Sequence, residues 1–453
     1  MIRARRSFIA RRRMAGLSLI EMMIALVMAL IVAAGIISVF ASTSSSNKVQ
    51  AQMAALQEEG RFAIHSLRTD LSNANGGYCS NSGGNAGSTS SGLYLDALRS
   101  PTVYAKTALT FPTNTVSLPA PTEAYSLPSS IFMRGYDCST TSCSPVDPDT
   151  AAADAPLAVG TPANIPAMGK VVGDRVVGAD VLTIRYLTPG SGWTVSPNAS
   201  TPGSIITSGS DGTVTSIKLN QATGDEPIAD FTSTVAMLAD CSNAQVFTVS
   251  NSSGTLTPNN NYASPLDISQ GAAPRVFDFV NDFQTATYFL KVVDAGNGHT
   301  TGELVRRVNV KGAVTDQPLV RGVERLDFLY GIVDANGGTR FLTADEVDSG
   351  TDKDGNTIPC PPDVSTPGGM PSTGCLWRAV QTIEVHILMD GQTPLYTLTP
   401  NEMTYIYSQD ASGGTSPVGP TAHTIQPNAN QGFPNELLRR EFTTLVTLRN
   451  FNP

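Results

Sequence analysis

The chain has 453 residues, 41% of them hydrophobic and only 15% charged, with 40 Gly, 30 Pro and six Cys. At about 150 residues per domain this length holds one large domain or two, and the Gly and Pro share lies below the roughly 25–30% that marks disorder throughout. The net charge is −9, but Arg3, Arg5, Arg6, Arg11, Arg12 and Arg13 stand in the first 16 positions, leaving 23 basic against 38 acidic residues. That excludes a basic, sequence-independent nucleic-acid binder, which needs cations to replace phosphate counterions.

The first predicted element follows the arginines. Leu17 to Phe40 reads LSLIEMMIALVMALIVAAGIISVF, with Glu21 as its single charge. About 20 apolar residues cross a bilayer as a helix, and no other stretch in the chain comes close, so the sequence predicts one membrane span. A basic flank stays cytoplasmic and sends the remaining chain across. A cleaved secretory signal has a shorter apolar run, about 7–15 residues, ending at an A-x-A site that is missing here. Glu21 needs a partner or a role, since a carboxylate costs about 2.5–3.5 kcal/mol at the centre of a membrane helix.

Val49, Met53, Leu56, Gly60, Ala63, Leu67 and Leu71 then recur at steps of three and four, an amphipathic helical stripe. No Pro interrupts residues 17–73, and Asn75-Gly76-Gly77 supplies a stop. One helix about 85 Å long is predicted, with loosening at Ser42–Ser46, where hydroxyls compete for backbone bonds. His65, on the flank of the stripe, is expected to be a packed or capping residue.

Beyond residue 78, strand-like runs take over: residues 181–187, 245–249 and 285–292, then alternating residues around 326–330, 383–389 and 442–448. One-sided alternation suits antiparallel strands packed on the helix or on a second sheet. Residues 80–92, 137–168, 188–203, 348–374 and 408–435 are long Gly-, Pro-, Ser-, Thr- and Asn-rich loops, a place for function on the surface.

Six cysteines in a body sent across the membrane read as disulfides rather than metal ligands. Cys138 with Cys143, Cys360 with Cys375, and Cys79 with Cys241 are the candidate pairs among the 15 pairings that six cysteines allow. No C-x2-C occurs, and the four His are scattered. Asp352, Asp354 and Asn356, with Asp345 and Asp348 before them, form part of a calcium-loop pattern, but the later bidentate Glu is missing. Asx turns generate the same pattern without metal, so no metal is assigned. No nucleophile-elbow, P-loop, dinucleotide or zinc-protease motif occurs, and neither an enzyme nor a cofactor is expected.

The segment Met14-Ala15-Gly16-Leu17-Ser18-Leu19-Ile20-Glu21 resembles the class III signal of type IV pilins and type II secretion pseudopilins. There a basic leader ends in Gly, an apolar residue follows, and Glu stands fifth after the cut. The resemblance implies that prepilin peptidase cuts between Gly16 and Leu17 and methylates the new amine of Leu17. It also implies that Glu21 pairs with the N-terminal amine of a neighbouring subunit, as a carboxylate in low dielectric requires. Leu17 stands where that family more often has Phe.

Further words resemble the PilW branch of minor pilins. They are Glu59-Gly60-Arg61-Phe62-Ala63, Leu67-x-x-Asp70-Leu71, Gly77-Tyr78-Cys79, residues 179–186 (ADVLTIRY), 239–247, 319–330 (LVRGVERLDFLY) and the ending 439–450. The implied fold is α+β, a long N-terminal pilin helix packed on a large, mainly antiparallel β head with long loops. Residues 1–16 would be the leader, 17–40 the transmembrane and filament-core helix, 41–75 its amphipathic continuation and 76–453 the head. The implied role is a minor pilin acting in initiation or at the tip of a type IV pilus. Its partners would be prepilin peptidase, other minor and major pilins and the inner-membrane assembly machinery. The chain would cross the inner membrane once with a periplasmic head, then reach the cell surface in the pilus. A type II secretion minor pseudopilin and an unassembled, membrane-anchored surface adhesin are the alternatives.

Overall fold

The computed structural model describes residues 18–74, 78, 85–89, 92–96, 102–103, 109–110, 117–118, 125–126, 129–149, 165–240, 244–259, 274–296, 298–311, 313–333, 338–359, 374–395, 398–399, 403, 405–410 and 431–449. They fall into two compact units, the first ending at Ala54 and the second beginning at Ala55. Helix α1, Leu19–Leu71, supplies all but one of the described residues of the first unit and opens the second.

In the first unit the helix is apolar on every face. Leu19 is 78% exposed, Val27 53% and Phe40 74%. A helix of this kind suits a surrounding without water, and it is long and apolar enough to cross a membrane. The serine run at 42–46, expected to loosen the helix, stays helical. Each Ser costs less than about 0.7 kcal/mol relative to Ala, and the turns on either side already provide the nucleus.

In the second unit the amphipathic stripe becomes buried from Leu56 onward, through Gly60, Ala63, Leu67 and Leu71. Against it stand the principal strands. In chain order these are β1 (Met133–Cys138), β2 (Cys143–Ser144), β3 (Val181–Leu187), β4 (Val235–Ala239), β5 (Ala244–Ser252), β6 (Arg275–Asp278) and β7 (Phe283–Gly296). They continue with β8 (His299–Val310), β9 (Ala313–Arg321), β10 (Val323–Val333), β11 (Thr339–Leu342), β12 (Val380–Asp390) and β13 (Arg439–Thr447).

One antiparallel sheet runs β9-β8-β7-β3-β1-β2 and another β11-β10-β12-β13. Leu182, Ile184, Tyr288 and Leu290 of the first face Phe328, Ile383, Val385 and Ile387 of the second, and Leu56, Ala63, Leu67 and Leu71 of α1 fill the space with them. The helix is therefore core material of the head. Gly60 permits the closest approach: a Cβ there would lie 2.4 Å from the Phe442 ring of β13. A third sheet is built on β6-β4-β5. It is buried on both faces, with Val235, Met237 and Ala239 in one cluster and Ala236 and Leu238 in another. Burial on both faces explains why β4 reads VAMLA without a polar residue.

A short helix α2, Ala344–Ser349, follows β11 and was not expected among the loops. Its signal was present in the sequence. Thr343 and Glu346 form a capping box, in which the Thr343 Oγ1 accepts from the Glu346 N–H and the Glu346 carboxylate from the Thr343 N–H.

Candidate functional site

Glu21 lies in the first turn of α1, exposed among Leu19, Ile20, Met22 and Met23. Its N–H donates to the Ser18 carbonyl at 3.0 Å. The cleavage pair Gly16 and Leu17 lies outside the described residues.

Within the head, buried polar groups tie the helix to the sheets. The Asp70 carboxylate, at the end of α1, accepts from the Tyr288 hydroxyl of β7 and the Arg306 Nε of β8. Arg306 spreads the contact: Nη2 donates to the Tyr186 hydroxyl at 2.9 Å and Nη1 to Gln317 Oε1 at 2.7 Å. One helix carboxylate thereby gathers β3, β7, β8 and β9. About three turns earlier on the helix, Glu59 accepts from the Gln392 amide at 2.7 Å. Burial raises the Glu59 pKa against that bond, with Asp390 and Glu58 adding to the rise.

Two more ties follow, one between the two sheets and one within the second. Asp180 accepts from the Cys138 N–H at 2.8 Å and the Phe328 N–H at 3.0 Å, and its own N–H donates to the Leu326 carbonyl. Burial, then the charges of Asp327 and Asp137, holds its carboxyl well above the ordinary range. Glu324 of β10 and Arg439 of β13 form a bidentate pair at 2.7 and 2.8 Å. The Glu324 carboxyl is pushed up to about 7 by burial and the neighbouring Asp390 charge, with Arg439 opposing. These contacts connect the words quoted from the sequence: 179–186 meets 319–330 through Asp180 and Phe328, and 319–330 meets 439–450 through Glu324 and Arg439.

Cys138 and Cys143 form a disulfide at the turn between β1 and β2. The Arg175 guanidinium, itself 1% exposed, points its Nη1 at both sulfurs, 3.3 and 3.4 Å away. Cys79, Cys241 and Cys360 lie outside the described residues, as does the side chain of Cys375.

His386 of β12 stands on the strand face opposite the core residues Val385 and Ile387. It is buried there, because Tyr405, Tyr407 and Ser408 cover that face. Its Nε2 lies 3.1 Å from Glu384 and its Nδ1 3.0 Å from Glu441 and 3.1 Å from Ser408 Oγ. Burial would lower its pKa, but the two carboxylates outweigh burial and push it up to about 9. Ser, His and Glu here have the composition of a hydrolytic triad, with the imidazole set between two carboxylates and the Ser408 hydroxyl donating to Glu441. The group is a charge clamp between β12 and β13. His65, expected to be packed or capping, is exposed on α1.

Asp352 caps its own turn. Its Oδ1 accepts from the Asp354 N–H at 3.1 Å, the Asn356 N–H at 2.8 Å and the Asn356 amide at 3.2 Å, and Arg340 lies 3.3 Å from Oδ2. The Asn356 bonds, foremost, hold its pKa below the ordinary range. Asp348 is engaged by the Trp377 indole at 3.0 Å and by Arg134 at 3.5 Å. Among the described residues no group of three or more His, Cys, Asp or Glu is arranged to hold a metal.

Among the curated proteins and the solved structures, none matches the chain. The family model described as PilW, Type IV Pilus-assembly protein W, matches residues 287–450. That segment supplies most of β7, all of β8–β13, the Arg306 and Phe328 groups that bond to Asp70 and Asp180, and the Glu324–Arg439 pair. The match over this part of the chain supports a PilW-type type IV pilus protein.

Proposed function

We propose that the chain is a minor pilin, cut by prepilin peptidase between Gly16 and Leu17, methylated at Leu17 and built into a type IV pilus. The observation that carries this reading is the exposed, all-round apolar stretch 19–40 of α1, bearing Glu21 as its one acid, in a chain with the PilW match. Such a surface is stable in a bilayer and then against other helices of its kind. Glu21 neutralises the amine of a neighbouring subunit, and each charge offsets the desolvation of the other. The arginines before residue 16 stay in the cytoplasm and the head lies in the periplasm until assembly. A head of this size suits initiation or the tip, where it need not repeat along a shaft. The chain acts by assembly with other pilins and the inner-membrane machinery, in keeping with the matched family.

Glu21→Ala tests the reading. The variant is expected to be cleaved and to stay in the inner membrane, with little in sheared pili. Wild-type amounts of the variant in sheared pili would refute the assembly role.

A further inference from the structure

A cavity of about 450 Å³ opens beside the C-terminal end of α1, within the size range of small-molecule sites. Its walls include Asn73, Tyr78, Tyr186, Thr188, Ser191 and Arg275. It stands at the start of the 188–203 segment, one of the long loops that pilus assembly leaves without a role.

The wall chemistry narrows the ligand class. Phe277 also lines the cavity, with the Tyr78 ring 5.1 Å away and tilted by 58°, which gives an aromatic side. Tyr78 is held at φ 74°, a backbone region that a bulky residue rarely adopts. Three polar atoms of the wall, Thr188 Oγ1, Ser191 Oγ and Arg275 Nε, are buried without a hydrogen-bond partner among the described residues. Buried polar groups nearly always have one. No bond to the described residues fixes either hydroxyl, so each is free to change χ1 rotamer. The Arg275 charge is already balanced, because Nη2 donates to Asp225 at 3.1 Å and to the Gly192 carbonyl at 2.8 Å. The cavity therefore offers hydrogen bonds and aromatic surface with little net charge.

From this we propose that the cavity binds one ring of a neutral saccharide, whose hydroxyls meet Thr188, Ser191 and Asn73 and whose apolar face lies on Tyr78 and Phe277. The ring can belong to a free hexose or to the end of a polysaccharide. Saturation-transfer NMR on the full chain, in lauryldimethylamine oxide so that the detergent carries no sugar, tests this. The probes are glucose, galactose and N-acetylglucosamine, then maltotriose, lactose and chitobiose, with N-acetylneuraminic acid as the anionic comparator.

At least one neutral sugar is expected to receive saturation. Thr188→Val with Ser191→Ala should weaken its binding at least tenfold. Thermal stability should be unchanged or raised, because the lost hydroxyls have no protein partner. Ser191→Ala alone, the milder change, should weaken binding in the same direction. Tighter binding of the oligosaccharide than of its monosaccharide assigns a polymer end, and equal affinities assign the free sugar. The proposal is overturned if no neutral sugar binds the wild type, if the anionic comparator is preferred, or if the double variant binds equally well.

Discussion

At the scale of the residue, charge in this head is spent on long-range ties. Asp70 and Arg306 are 236 residues apart, and Glu324 and Arg439 are 115 apart. Asp70→Ala leaves the Arg306 guanidinium without its carboxylate in a site where both side chains are largely buried. A loss of about 2–3 kcal/mol is expected in denaturant unfolding of the detergent-solubilised chain. His386 sets a pH dependence. Its pKa is raised from 6.5 to about 9 in the folded chain, so its contribution is complete below pH 6.5 and lost as pH rises through 9. Asp282, raised to about 8 by burial and then Glu226, also loses stability as pH rises. The difference between wild type and His386→Gln isolates the histidine: it should be largest near pH 6 and shrink by pH 9.5.

At the scale of the element, the strands were legible because alternation survives in them. Residues 181–187 form β3 with those same bounds, and Ile383, Val385 and Ile387 point into the core as their spacing predicted. The ties were not legible, since one carboxylate in a helix carries no mark of which strand it will meet hundreds of residues later. His386 shows the same gap: its strand face turns away from the core, and the segment around Tyr407, distant in sequence, buries it. The Cys138–Cys143 bond was readable because its partners are five residues apart. Gly60 is the sharpest packing requirement on α1. Gly60→Ala drives a Cβ into the Phe442 ring and should cost about 1–3 kcal/mol, despite the better helix propensity of Ala. Phe442→Leu should recover part of that loss, and a double-mutant cycle measures the coupling.

At the scale of the whole molecule, an apolar helix begins the described chain and its second half is core to a β head. The two halves of the helix meet different surroundings by composition: residues 19–40 are apolar on all sides, whereas the stripe from Leu56 is one-sided. Under the proposed function the first half becomes filament core after pilin-type processing. The mass of the N-terminal peptide of the chain recovered from sheared pili tests this. A peptide beginning at N-methylated Leu17 is expected. A peptide that retains Met1, or one that begins beyond Phe40, would contradict it.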